Sequence, residues 1–345
     1  MSVITCHIDD DNVAGSASAP SGYGDFAAYD NTGSQYGATV MIASQEIDGT
    51  IDPEACGGGD DWWAASHFIL NAAAPPAQTA DLTLDGQAFN LTWRDEFDAL
   101  SYDDWGNSTA TWTVPPSNQF GQCAFVGSSG VPSVSDIVTD DGETVLRINA
   151  NGQDWSSKTC RSLSIQAVSP RSGGDNGMNG YCQMNGYWEV RMKMPADVGT
   201  WSAFWLKTIE SVQNGKDKHG ELDIIEFWGG DNARYYINVH RHGTSAVSRT
   251  SPNTVNAPTG TTFPGDYHTF GVWIDGDEMR FYYDRQLQSV VTVDLSGNLA
   301  WLQNRCWFPV IDLAVTTSSP LLNEPPADPQ YLYVDYVRAY QPRLN

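Results

Sequence analysis

Gly220-Glu221-Leu222-Asp223-Ile224-Ile225-Glu226-Phe227-Trp228 is the stretch on which the fold turns. Acids alternate with bulky aliphatics, the pattern of a strand with one buried face, because successive side chains on a strand point to opposite sides. Glu221 and Asp223 share a face by the period of two. Glu226 has the wrong parity. One extra residue, inserted as a β-bulge around Ile224 and Ile225, returns it to the face of the other two. The stretch therefore predicts a carboxylate row on one face of a bulged strand. Acids that close disturb each other's ionisation, and at least one pKa must rise.

Working outward, strand signals recur at Asn90–Arg94, Thr144–Ile148, Tyr187–Met194, Tyr235–His240, Thr269–Ile274, Met279–Tyr283, Phe308–Val315 and Tyr331–Tyr340. Turn sequences such as Asp140-Asp141-Gly142 and Asp275-Gly276-Asp277 separate several of them. No βαβ alternation appears. The expectation is all-β: two packed antiparallel sheets over residues 81–345, a sandwich or jelly roll. Residues 1–70 show shorter β-like runs at Val3–Ile8, Ala38–Ile42 and His67–Leu70, and read as a small acidic β-rich accessory segment. Residues 71–80 have Pro/Ala linker composition. Trp62 and Trp63 are candidates for a sugar-stacking platform, with a buried core pair the commoner use of such residues.

The chain has 345 residues and a net charge of −24. Residues 1–93 hold 13 acids and neither Lys nor Arg. Such a balance excludes a general nucleic-acid binder, which needs a basic face for phosphates. No apolar run reaches membrane-spanning length. The opening Met1-Ser2-Val3-Ile4-Thr5-Cys6 lacks a basic-then-apolar signal pattern. Extracellular action is expected, by a removed signal, another export route, or attachment to a virion or surface. None of the six cysteines forms a C-x-x-C pair. Disulfides are expected instead of zinc, and Cys6 with Cys56 and Cys160 with Cys182 are the pairings considered.

In a curved sandwich, a sheet face carrying acids and aromatics is a groove floor, because rings stack on the apolar faces of sugars while carboxylates bind their hydroxyls. Trp201, Trp205 and Trp228 lie close in sequence to the acidic strand, and strand parity puts Trp201 and Trp205 on one face. Arg234, His240, Arg241, His242 and Arg249 form a basic island with no acid between them. From it, Arg241 with His240 is expected to bind an anionic substituent of a substrate, Arg having a planar fork for two oxygens. The plainer use of such an island is to offset surrounding acids.

The residues resemble glycoside hydrolase family 16. Glu221-Leu222-Asp223-Ile224-Ile225-Glu226 matches its bulged E-x-D-x-x-E signature. Leu91-Thr92-Trp93-Arg94-Asp95-Glu96-Phe97-Asp98 resembles its W-x-D-E-F strand, and Gly186–Pro195 its G-Y-x-E-x-R-x-K-x-P segment. Gly199–Leu206 resembles the G-x-W-P-A-F-W-L wall, with Ser202 where the family has Pro. His268–Trp273 and Asp335–Tyr340 follow in family order. The resemblance covers about residues 88–341 and leaves the first 80 aside. It implies a concanavalin-like β-jelly roll with a concave groove and an endo-acting, configuration-retaining hydrolase of a β-linked polysaccharide: a β-1,3- or mixed-linked glucan, or an anionic marine or bacterial glycan. Carried onto this chain, Glu221 is the nucleophile, Glu226 the acid/base, and Asp223 assists. Retention needs two carboxyls ~5–5.5 Å apart. No cofactor is required by the resemblance, which also implies a structural calcium with Asp335 as carboxylate ligand. A monomer is expected, with polysaccharide as its partner and neither nucleic acid nor membrane. The competing readings are a non-catalytic glycan-binding jelly roll and a virion- or surface-associated capsule or exopolysaccharide depolymerase.

Overall fold

The computed structural model describes residues 81–343 apart from 107–109, 116–123, 151–160, 171–177, 214–217, 244–247, 250–252, 293–299 and 317–328, together with the backbone of four earlier strands. The chain divides into two compact units, Met1–Thr79 and Ala80–Asn345. In the first, Gly24–Tyr29, Ala38–Gln45, Ser2–Asp9 and Trp63–Ile69 lie side by side in that order as an antiparallel sheet. Gly24–Tyr29 is a strand that the sequence reading did not pick out. Trp62, the 71–80 stretch and the side chains of Trp63, Cys6, Cys56, Cys123 and Cys160 lie outside the described residues.

The second unit is a sandwich of two large sheets. Its principal strands are β1 (Gln87–Asp95), β2 (Ser164–Gln166), β3 (Gly186–Lys193), β4 (Thr200–Thr208), β5 (His219–Trp228), β6 (Arg234–His242), β7 (His268–Asp275), β8 (Glu278–Tyr283), β9 (Trp307–Val315) and β10 (Gln330–Pro342). One sheet runs Ser248–Arg249, β6, β5, β4, β9, β2, Trp112–Val114, Tyr102–Asp104. The other runs Ser135–Asp140, Glu143–Ala150, β10, β3, β7, β8, Gln286–Thr292, with β1 also paired to β10. Pairing within both is antiparallel except between Tyr102–Asp104 and Trp112–Val114. Each strand expected from Asn90 onward is present, with ends that differ by at most three residues. Asp141 and Gly142 both take positive φ, 50° and 87°, between the paired Asp140 and Glu143. This is the two-residue hairpin turn whose twist matches that of the strands. No helix among the described residues is long and apolar enough to cross a membrane.

The core lies between the sheets. Trp188, Val190 and Met192 of β3 meet Phe204 and Leu206 of β4, Leu222 and Phe227 of β5, Ile237 and Val239 of β6, and Ile311 and Leu313 of β9. Each such burial contributes about 1.5–3 kcal/mol against exposure. Alternation along β4, β5, β6 and β9 therefore turns their remaining side chains to the other face of the sheet, and those residues are the site. A disulfide joins Cys182 to Cys306, the residue before β9. This corrects the Cys160–Cys182 pairing: short spacing suggested a hairpin staple, but the partner is a residue 124 positions away that the sheet brings alongside.

Gly220 opens β5 on its core side. A Cβ there would come 2.7 Å from Leu302 Cδ2 and 2.8 Å from Trp307 Cη2. Trp307 is wholly buried and has nowhere to move. Gly220→Ala is expected to lower unfolding stability by about 1–3 kcal/mol, the range for overpacking a filled core. Denaturant unfolding measures it, and an unchanged midpoint would contradict the packing described.

Candidate active site

The acidic strand is bulged where parity requires it. Between β5 and both its neighbours the register shifts across Asp223 to Glu226. Ile224 and Ile225 are consecutive, yet both are in the core, at 1% and 0% exposure. The extra residue absorbs one alternation. Glu226 then lies opposite Ala203 on β4 and Tyr236 on β6, Asp223 opposite Trp205 and Asn238, and Glu221 opposite Lys207 and His240. Glu221, Asp223 and Glu226 thereby line a single cavity with Trp201, Ala203, Trp205 and Asp312.

The two glutamates sit in opposite electrostatic settings. Burial drives Glu221 upward, but His242, whose Nε2 is 3.2 Å from Glu221 Oε2, outweighs it together with the charges of His240 and Lys207. The net effect holds Glu221 below its ordinary range. Lys207 is itself lowered by burial, offset by Glu221. Burial raises Glu226 to about 7; the charge of Glu221 adds to this, while hydrogen bonds from Asn238 and Trp201 pull the other way. Asn238 Nδ2 donates to Glu226 Oε2 at 2.6 Å. At mildly acidic to neutral pH the pair therefore holds an ionised Glu221 and a protonated Glu226, the division of labour that acid catalysis beside a nucleophile requires.

Asp223 is pushed well above its usual value by burial first, then by Glu226, Glu221 and Asp312. It faces His240, whose Nε2 is 3.2 Å from Asp223 Oδ2 and 3.8 Å from Glu221 Oε1. Asp312, on β9, is a fourth carboxylate. Burial raises it to about 8 despite a hydrogen bond from Trp205 Nε1 at 2.7 Å. His240 and His242 stack with ring centroids 5.8 Å apart, and His219 stacks on His242 at 4.6 Å. Burial, with the charges of His242 and Lys207, lowers His219 to about 4 and leaves it a neutral spacer.

The residues singled out from sequence divide. Trp201 and Trp205 line the cavity. Trp228 lies across from Trp201 on the neighbouring strand, edge-on to it at 5.9 Å and tilted against Tyr236 at 5.5 Å. His240 reaches the acids. Arg241 does not: it pairs across from Gly220, on the face Gly220 turns toward Leu302 and Trp307. This corrects the expectation that Arg241 and His240 act together, because adjacent residues on a strand point to opposite faces. Asp335 is in an ion pair with Arg191, and Arg191 also lies 4.7 Å from the centre of the Tyr267 ring. Among the described residues, Glu221, Asp223 and His240 alone bring three potential ligand side chains within 4.8 Å of one another. Neither place fits the calcium that the resemblance implies. Asp335 already has a cation against it, and an imidazole is not the oxygen donor calcium takes. Asn238, Lys207 and Asp312 were missed, and His242 was named in the basic island without its role beside Glu221; the available signal was strand parity, applied across neighbouring strands.

Residues 144–307 match the family model described as glycosyl hydrolases family 16. These residues form a family 16 glycosyl hydrolase domain. Around it, the chain is 24% identical over 267 residues to glucan endo-1,3-beta-glucosidase A1 of Niallia circulans, covering 73% of this chain and 38% of that protein. It is 25% identical over 281 residues to endo-1,3-1,4-beta-glycanase ExsH of Rhizobium meliloti (strain 1021), covering 75% and 53%. The chain thus spans about half the length, or less, of these curated relatives. In fold, the endo-beta-1,3-glucanase of Pyrococcus furiosus superposes with a TM-score of 0.57 at 22% identity, covering 76% of this chain and 98% of that one. The laminarinase catalytic domain of Thermotoga petrophila RKU-1 gives 0.52 at 24%, covering 75% and 100%. The matched residues lie within the jelly roll described above.

Two substitutions test the electrostatics, each through the pH dependence of kcat/KM on a β-glucan. The hydrogen bond from Asn238 favours ionised Glu226, so Asn238→Ala should raise the Glu226 pKa and move the alkaline limb to higher pH. His242→Ala should raise Glu221 and move the acid limb to higher pH as well. A limb that stays put, or moves down, contradicts the assignment.

Proposed function

We propose that the family 16 domain is a retaining endo-hydrolase of internal β-glycosidic bonds in a β-1,3- or mixed-linked β-1,3-1,4-glucan. The observation that carries this is the pair Glu221 and Glu226 on one groove face, one held ionised and the other protonated, on either side of a bulge. Glu221 attacks the anomeric carbon while Glu226 protonates the departing glycosidic oxygen, giving a glycosyl-enzyme ester on Glu221. Glu226, now ionised, takes a proton from water, which attacks the same carbon and releases Glu221. Two inversions leave the β configuration unchanged. Asp223, in contact with His240, helps to keep the Glu221 end of the row in order.

The choice of glucan rests on the names of the relatives, which are endo-1,3-glucosidases and endo-1,3-1,4-glycanases. A groove for an anionic substituent has lost its main support. Arg241 faces the other way, and His240 and His242 are occupied by Asp223 and Glu221. A binding module without chemistry is disfavoured because four carboxylates lining one cavity, Asp223 and Asp312 among them buried, are destabilising and would serve no purpose in it. The disulfide and the acidic surface suit action on a polysaccharide outside the cell.

Proton NMR of the products from laminarin and from mixed-linked glucan tests the reading. The β-anomer should appear first from oligosaccharides of several lengths, and Glu221→Gln should lower kcat by about three orders of magnitude or more, as loss of a nucleophile does. Initial α-anomer, a single small product, or an unimpaired Glu221→Gln would overturn it.

A further inference from the structure

Trp205 stands on the boundary between the cavity and an apolar cluster, and its indole reaches in a direction that its own strand does not dictate. The side chain lines the cavity with Glu221, Asp223 and Glu226. It also packs against the cluster of Val168, Val212, Phe308 and Val310. In the ladder, Trp205 is opposite Asp223 on one side and Val310 on the other. Yet its Nε1–H donates to Oδ2 of Asp312, at 2.7 Å, two positions further along β9. Asp312 pairs with Ala203, which pairs with Glu226 on its other side. The indole therefore reaches diagonally, from the Asp223 row toward the Glu226 row, a span that aromatic side chains cover between neighbouring strands. Ala203, the smallest side chain lining the cavity, offers little bulk against that reach.

Asp312 is 1% exposed, and its Oδ1 is buried as well. The carboxyl thus meets Trp205 and not the substrate. Burial pushes it up to about 8, so near neutral pH the acceptor is mainly the uncharged acid. We infer that Asp312 is a positioning residue: its hydrogen bond fixes the Trp205 indole as a wall for a sugar ring of the substrate, and it acts on substrate binding and not on the chemical step. The inference rests on the function proposed above and adds a determinant of glucan affinity to it. Without the bond the indole would be held by the apolar cluster, and apolar burial is non-directional. A ring fixed in one orientation presents the same face to each sugar and spares the entropy of ordering it on binding.

The test is a double-mutant cycle on the hydrolysis of laminarin. Asp312→Leu, which removes the acceptor and keeps the volume, should raise KM about 5-fold to 10-fold, the share of one hydrogen bond, and leave kcat within about 2-fold. Asp312→Asn should return KM to within about 2-fold of wild type, because its carbonyl accepts the same N–H. Trp205→Phe should raise KM on its own, and Asp312→Leu should add nothing in that background. A second measurement needs no Asp312 variant to fold. In Glu221→Gln, the Trp205 indole 1H–15N resonance, assigned by its loss in Trp205→Phe, should exchange slowly with solvent and shift on titration with laminaritetraose. A loss that falls on kcat, an Asp312→Asn that fails to rescue, or additive effects of Asp312→Leu and Trp205→Phe would overturn the inference. So would an indole N–H that exchanges freely or that laminaritetraose leaves unmoved. Each of these outcomes leaves wild-type hydrolysis of laminarin standing. A wild type that cleaves no β-glucan overturns the proposed function instead, and this inference with it.

Discussion

The bulge at Ile224 and Ile225 is the constraint on which the site depends. A regular strand would carry Glu226 into the core, among Phe227's neighbours, and place an uncompensated charge where none is tolerated. Both isoleucines instead enter the core, so the apolar burial of two consecutive side chains holds the extra residue in place. The cost of an interrupted ladder is offset by two buried aliphatic side chains, at about 1.5–3 kcal/mol each. The result is that a row of acids continues along one face although Glu226 stands an odd number of positions after Glu221 and Asp223. Packing, rather than any attraction among the acids, puts the acids together.

Once assembled, the acids are told apart by what the adjacent strands present. At one end, β4 and β6 bring Lys207, His240 and His242 to Glu221. At the other, they bring Ala203, Trp201, Asn238 and Tyr236 to Glu226, where desolvation prevails. One strand of nearly uniform chemistry thus acquires a polarity across its width. Asp312, and Asp223 despite its contact with His240, are raised by burial together with Glu226. The tryptophans contribute twice, as walls of the cavity and as indole donors to the carboxyls beside them.

How much of this was legible in the sequence follows from the range of each interaction. Parity within Glu221–Glu226 is local, and it foretold the bulge and its position. Alternation and turn residues are local too, and the sandwich strands named from sequence were placed to within a few residues, though Ser135–Asp140, Ser164–Gln166 and Gln286–Thr292 were not named. Cross-strand neighbours are not. Asn238 lies twelve residues from Glu226, and Asp312 over a hundred from Trp205; no spacing rule singles out either. Arg241 was misplaced because closeness in sequence to His240 was given more weight than the alternation applied to Glu226. The Cys160–Cys182 pairing failed for a related reason, since the partner of Cys182 is set by the sheet order that places Gln183 beside Trp307. The resemblance to family 16 named the roles of the acids, yet says nothing of what holds each in its protonation state here.

The central claim is that Glu221 and Glu226 share a face and are held in opposite protonation states. Carboxyl-selective 13C NMR titration of the wild-type protein, with resonances assigned by Glu221→Gln and Glu226→Gln, measures this directly. The account predicts that Glu226 titrates near 7, and Glu221 below the ordinary glutamate range. Both groups titrating together in the ordinary carboxylate range, or Glu221 titrating above Glu226, would contradict it.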